Sequence, residues 1–148
     1  MVWRCVAHNG VGNLAFIDNK MNALAYIDVL RHNLLDSAKK LSMENTFIFQ
    51  PDSDPKHTAI VTKTWLLYHA QRQLETPPQS PDLNPIENLW MHLDTEVREK
   101  NVTSKENLKE KFQEVWNSID TKITKKLIES MPRRLEAVVK ANGLFTKY

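Results

Sequence analysis

Cysteine is nearly absent from this chain: its 148 residues include one, Cys5. A single thiol excludes an internal disulfide and fits a reducing compartment, where such a residue is more often a small buried apolar group than a nucleophile. Long hydrophobic runs are missing too. Nothing approaches the ~20 apolar residues of a membrane-crossing helix, and the opening Met1-Val2-Trp3-Arg4-Cys5-Val6-Ala7-His8 has no apolar run suited to a signal peptide. No membrane partner is expected, and the protein is expected to be soluble and intracellular. Internal repeats and low-complexity stretches are also lacking. Net charge of either sign is small, at +2, but unevenly placed. Residues 121–148 carry seven Lys and Arg against Glu129 and Glu136, which is +5 there and −3 elsewhere. Such a run is commonly a solvated helix face; as a binding surface it suits phosphate, weakly and with strong salt dependence.

With 41% hydrophobic and 26% charged residues the chain can bury one core, and a single domain is expected. Residues 1–7 and 13–18 read as the strands of a β-hairpin turned at His8-Asn9-Gly10. Leu24, Ile27, Leu30, Leu34, Leu35 and Leu41 recur at helical spacing after Asn22, a fitting N-cap. Thr46-Phe47-Ile48-Phe49-Gln50 is a compact apolar run, predicted as a strand buried on both faces and stopped by Pro51. A helix over 58–68 follows, with Thr58 as its cap. Gln73-Leu74-Glu75 is a weak strand stopped by Thr76-Pro77-Pro78. Residues 84–100 and 104–119 each place apolar side chains on one face of a helix. Two short basic helices, 122–130 and 133–142, are expected on either side of Met131-Pro132, with Gly143 closing the second. Alternating β and α elements followed by helices alone indicate an α/β fold with a helical C-terminal layer.

Two stretches carry the chemistry: the acidic turn Pro51-Asp52-Ser53-Asp54-Pro55-Lys56-His57-Thr58, and Ser80-Pro81-Asp82-Leu83-Asn84-Pro85-Ile86-Glu87-Asn88-Leu89-Trp90. Between Asp52 and Glu87 lie 34 residues, enough for a helix and a strand to bring two carboxylates together. By local sequence alone, Asp52 and Asp54 make an Asp/Pro turn with helix-capping acids, and Asn84, Pro85 and Glu87 make a capping box. Lys56 and His57 are candidate phosphate contacts or simply solvated loop residues.

Residues 47–59 and 80–90 resemble the two catalytic signatures of the mariner superfamily of cut-and-paste DNA transposases, including a 34-residue spacing used by one branch. The resemblance continues through Met1-Val2-Trp3, Gly12-Asn13-Leu14, Met21-Asn22, Met131-Pro132-Arg133-Arg134-Leu135 and Thr146-Lys147-Tyr148. It implies an RNase H-like mixed sheet and an Asp, Asp, Glu triad that binds Mg²⁺ or Mn²⁺. Asp52 would be the second acid and Glu87 the third, both catalytic and metal-binding, with nearest oxygens within roughly 8 Å. The first acid lies on a central strand upstream of the position matching Met1. The expectation is therefore a truncated catalytic domain over 1–148, with an RNase H-like part at 1–100 and C-terminal helices at 101–148. It lacks the first, central strand, with a gap or a direct pairing between 1–7 and 46–50. Arg4 and Pro51 also depart from the family pattern. DNA is the implied partner through Lys56, His57, Lys122, Lys125, Lys126, Arg133 and Arg134, in the nucleus, with a second copy or a full-length transposase as protein partner. Such a chain is expected not to cut DNA alone. The alternative from another class is a domesticated, non-catalytic DNA- or protein-binding module.

Overall fold

The computed structural model describes all residues of the chain except Ser53, Pro78, Gln79 and Phe145. Ser53 of the acidic turn and Pro78 of the predicted stop after the weak strand thus lie outside the described residues. The elements run β1 (Val2–Ala7), β2 (Gly10–Phe16), α1 (Ala23–Lys40), α2 (Pro55–Thr58), α3 (Ile60–His69), a single 3-10 turn (Pro81–Leu83), α4 (Pro85–Arg98), α5 (Lys105–Ser118), α6 (Thr121–Glu129) and α7 (Met131–Lys140). They form two compact units, one of residues 1–5 and 12–80, the other of 6–11 and 81–148. The division falls before α4, so this helix groups with the C-terminal helices and residues 6–11 rather than with residues 12–80.

In the first unit β1 and β2 pair as predicted, but β2 starts at Gly10, leaving His8-Asn9 as a two-residue turn. Gly10 has φ of 134°, a backbone conformation open to glycine, which lets the strand begin directly after the turn. Asn22 caps α1, its side chain accepting from the Ala25 amide at 2.8 Å. The helix buries Tyr26, Ile27, Leu30, Leu34, Ser37 and Ala38, whereas Leu24 and Leu35, predicted on that face, are 66% and 40% exposed. Trp3, Tyr26, Leu30, Leu34, Leu66 and Ala70 make the core, with Phe47, Phe49 and Trp65 packed against it.

The approach of β2 to α1 depends on Gly12. A Cβ there would stand 2.3 Å from Cys5 Sγ and 2.7 Å from Ser37 Cβ. Ser37 exploits the closeness: its hydroxyl accepts from the Asn13 amide at 2.9 Å and donates to the Asn33 carbonyl at 2.5 Å. Burial pushes the neighbouring Cys5 thiol up, which keeps it protonated and inert.

The predicted strand at 46–50 is corrected. It is reduced to one parallel bridge, Phe49 to Gln73, made by the Phe49 amide on Arg72 O and the Leu74 amide on Phe49 O, both 2.9 Å. Its two-faced burial also fails: Ile48 is 59% exposed, while Phe47 and Phe49 turn inward. Among the described residues the hairpin is a separate two-stranded sheet. Without longer neighbours the 46–50 backbone has little to pair with, and its side chains follow the period-two alternation of a one-sided strand. The helix expected over 58–68 is also corrected, being broken at Ala59, whose ψ of 144° is extended. Asp54 rather than Thr58 caps the first piece, accepting from the Lys56 amide at 2.9 Å.

In the second unit α4 packs on α5 and α6, and α7 packs on α6 and the 3-10 turn. Leu89, Leu93 and Trp116 are fully buried, and Trp90 stacks on Phe112 at 5.6 Å. The hairpin turn belongs here: the Thr124 hydroxyl donates to His8 O at 3.3 Å, and the His8 ring meets Glu129 at 3.5 Å. Met131 and Pro132 do not separate two helices but open α7, where a proline in the first turn sacrifices no helical hydrogen bond. At its other end the amides of Asn142 and Gly143 return to Val139 O and Val138 O. Asn142, at φ 51°, is the left-handed closing residue, and Gly143 follows it.

Candidate metal and nucleic-acid site

The acidic turn is built almost wholly from its own residues. Asp52 follows the Phe49 bridge, and its Oδ1 accepts from the Asp54 amide at 3.0 Å and from His57 Nδ1. These donors hold the Asp52 carboxyl below the usual carboxylate range, the His57 hydrogen bond contributing most. Asp54 faces Lys56 instead, with Nζ 2.7 Å from Oδ2, and that bond lowers its pKa as well. The His57 ring stacks on Tyr26 at 3.8 Å between centroids. Burial, with Asp52 nearby, raises the Tyr26 hydroxyl well above its ordinary value. Of this group only Asp52 is exposed as a residue, its side chain 57% open.

Lys56 and His57, named as phosphate contacts from the sequence, are both engaged within the first unit. Lys56 is tied to Asp54, and His57 is enclosed between Tyr26 and Asp52 with 14% of its side chain exposed.

Glu87 is presented differently. Asn84 caps α4, its Oδ1 accepting from the Ile86 amide at 3.3 Å. The Asn84 amide, which a capping box would give to the Glu87 carboxylate, donates instead to Pro81 O at 2.9 Å in the 3-10 turn. The predicted reciprocal bond is thus replaced. Glu87 is exposed in the first turn of α4, and its carboxylate has no hydrogen-bond or ion-pair partner among the described residues.

What fixes this helix start comes from far along the chain. Arg134, expected to contact DNA, is 3% exposed. Its guanidinium donates to Ser130 Oγ at 2.8 Å, Asp82 O at 3.1 Å and Asn88 Oδ1 at 2.7 Å, and lies 5.1 Å from the Tyr148 ring centroid. The Asp82 carboxylate accepts from both the amide and the hydroxyl of Thr146, at 2.7 and 2.6 Å, and these bonds hold its pKa down. Arg134 is corrected from a surface contact to the centre of a clasp, because it is buried and each of its three guanidinium nitrogens donates within the unit. Sequence reasoning noted both Pro81-Asp82-Leu83 and Thr146-Lys147-Tyr148 but had no signal that they meet, since 64 residues separate the bonded pair.

Lys122, Lys125 and Lys126 are exposed along α6, and Arg133 is exposed at the start of α7; Lys125 lies 4.0 Å from Glu129. No described group of three or more His, Cys, Asp or Glu side chains forms a complete metal cluster. The donor chemistry of each acid nevertheless suits a hard divalent cation: Asp52 has a side chain 57% exposed, Glu87 is exposed, and no described group bonds Asp52 Oδ2 or the Glu87 carboxylate.

These signatures on an α/β frame define an endonuclease class. A family model described as DDE superfamily endonuclease matches residues 6–109, and the chain belongs to that family. Within it the chain is similar to Tc1-type transposases. It is 36% identical over 148 residues to the Tcb2 transposase of Caenorhabditis briggsae and 37% identical over 151 residues to the Tc1 transposase of Caenorhabditis elegans. Each match takes 100% of this chain and 54% of the relative, so the chain spans about half the length of the curated relatives it matches. Among solved structures, the Mos1 transposase catalytic domain with Raltegravir and Mn shares the fold at TM-score 0.87 and 22% identity, over 99% of this chain and 76% of that one. A Mos1 mariner paired end complex with Mn gives TM-score 0.87 and 22% identity over 99% of this chain and 44% of that one. The chain accordingly shares the fold of the Mos1 transposase catalytic domain.

Proposed function

We propose that residues 1–148 are the distal part of the catalytic domain of a cut-and-paste DNA transposase, with Asp52 and Glu87 as the second and third metal-binding acids. The observation that carries this reading is a pair of exposed acids at the family positions, with Asp52 Oδ2 and both Glu87 oxygens left without partners among the described residues. Mg²⁺ or Mn²⁺, when bound, would activate the attacking water or 3′-hydroxyl and stabilise the leaving oxygen. Within the chain, the acidic turn orients Asp52, and the cap at Asn84 leaves Glu87 available. The first acid would come from a central strand joining the hairpin to the Phe49–Gln73 pairing, and residues 1–148 do not supply it. On this reading, residues 1–148 by themselves are expected neither to cleave DNA nor to transfer strands.

DNA, as transposon ends or target, is the proposed substrate, in the nucleus, and a second copy or a full-length transposase the proposed protein partner. Lys122, Lys125, Lys126 and Arg133 supply phosphate contacts. Their exposed, basic array also suits the alternative of a non-catalytic DNA-binding module, which would bind without needing Glu87.

A nicking assay separates the readings. A longer chain carrying the upstream strand and its Asp should nick DNA with Mg²⁺ or Mn²⁺, and Asp52→Asn or Glu87→Gln should each lower the rate at least ~100-fold, by about 2.7 kcal/mol of barrier or more. Residues 1–148 alone should not nick. Metal-dependent nicking by 1–148 that disappears in Glu87→Ala would overturn the inactive-fragment reading, and full activity in both carboxamide variants would overturn the site. DNA binding by 1–148 should weaken steeply as salt rises.

A further inference from the structure

We infer that His57 is a positioning residue, fixing Asp52 so that Oδ1 is engaged within the chain and Oδ2 is offered, monodentate, to a divalent cation. This rests on the reading of Asp52 as a metal ligand and adds to it the oxygen used and the group that selects it. Two donors converge on one oxygen: His57 Nδ1 and the Asp54 amide, the latter at 3.0 Å, both meet Oδ1. No described group bonds Oδ2, and the side chain is 57% exposed. Left to itself, a carboxylate this exposed would sample its rotamers and exchange its two oxygens by rotation.

The anchor is rigid because it is attached to the core. The His57 ring lies 27° from the plane of Tyr26 at 3.8 Å, and Tyr26 is 2% exposed within the cluster that holds Trp3, Leu30 and Leu66. Asp52 is thereby coupled to the α1 core through one stacked ring. A hydrogen bond to a ligating carboxylate fixes its orientation, and loss of such a supporting bond typically weakens metal binding 10- to 100-fold. A phosphate-contact role for His57 would require the ring to face solvent, whereas its side chain is 14% exposed. To donate to a carboxylate, Nδ1 must carry a proton, although free neutral imidazole prefers the proton on Nε2.

The test uses the whole 148-residue chain with ¹⁵N-labelled histidine at a pH where free imidazole is neutral. Long-range ¹H–¹⁵N correlation should show the His57 proton on Nδ1, reverting mainly to Nε2 in Asp52→Ala. A wild-type ring protonated on Nε2 alone overturns the inference. In a Mn²⁺ titration read by paramagnetic broadening of the Asp52 signals, His57→Phe keeps a ring against Tyr26 but lacks the donor. It should need roughly 10- to 100-fold more Mn²⁺ than wild type, with His57→Gln recovering part of the loss. Equal Mn²⁺ requirements in wild type and His57→Phe would also overturn it. Absence of broadening in every chain would remove Asp52 as a metal ligand, and the tautomer measurement would still decide whether His57 orients its carboxylate.

Discussion

The two carboxylates of this domain are held by opposite means. Asp52 is oriented by residues two and five positions away, so its geometry is a property of one short turn resting on the core through Tyr26. Glu87 itself bonds to nothing described; the helix start beneath it is held by Arg134, 46 residues from Asn88, and by Thr146, 64 residues from Asp82. A carboxylate can thus be placed by gripping its side chain, or by gripping its backbone and leaving the side chain free. The first strategy makes the acid sensitive to its immediate neighbours, the second to distant ones.

The largest expected effect tests the distant grip. Arg134→Leu would strip donors from Asp82 O, Asn88 and Ser130 together, and should lower stability by about 3 kcal/mol in urea unfolding. The adjacent Arg133→Ala, on the surface, should stay within ~0.5 kcal/mol. Equal effects from the two arginines would dissolve the distinction between clasp and surface.

Next in size is Gly12→Ala, at the contact on which the first unit is built. With Cys5 Sγ 2.3 Å and Ser37 Cβ 2.7 Å from the added methyl, backbone or helix must shift. A loss of about 2 kcal/mol is expected, as for other overpacked cores, partly relieved by Cys5→Ala and measured by thermal unfolding. A neutral outcome would show that α1 is free to give way.

Thr146→Val removes the hydroxyl that donates to Asp82 but keeps the amide bond, and should cost about 1 to 2 kcal/mol at neutral pH. This cost should itself depend on pH. Because the folded Asp82 carboxyl is held below its ordinary value, its contribution is present above the unfolded pKa and is lost as pH falls through the lower folded one. Urea midpoints of wild type and Thr146→Val should therefore converge as pH drops below the ordinary Asp range, about 3.9. A constant gap down to the most acidic pH would detach the clasp from the Asp82 charge.

The smallest effect is expected from Glu87→Gln, within about 0.5 kcal/mol of wild type in stability, because its carboxylate holds nothing in place. A loss above ~1 kcal/mol in urea unfolding would restore the capping box as its role. Set beside Arg134→Leu, this variant shows most directly whether Glu87 is kept free by its surroundings.

Much of this was legible in the chain. Asn22, Asn84 and Ser104 mark helix starts because a capping side chain acts on an amide two or three residues ahead. The regular spacing of Leu30 and Leu34, and of Leu89 and Leu93, fixed which helix faces are buried. The two candidate acids were singled out by their motifs and their interval. The reading went astray where a choice depended on a neighbour: residues 46–50 looked like a doubly buried strand, but burial of Ile48 needs packing on both faces and was not achieved.

Sequence by itself thus determined the local caps, the amphipathic faces, the basic C-terminal end and the identity of the candidate acids, because each depends on interactions within a few residues. Tertiary structure alone decided that His57 faces Asp52 and Tyr26 rather than solvent, that Arg134 is a buried clasp rather than a surface base, and that Glu87 has no capping partner among the described residues. An Arg or His side chain has the same chemistry in either setting. Whether its donors meet protein or water is set by what folding brings beside it, and here those partners stand up to 64 residues away.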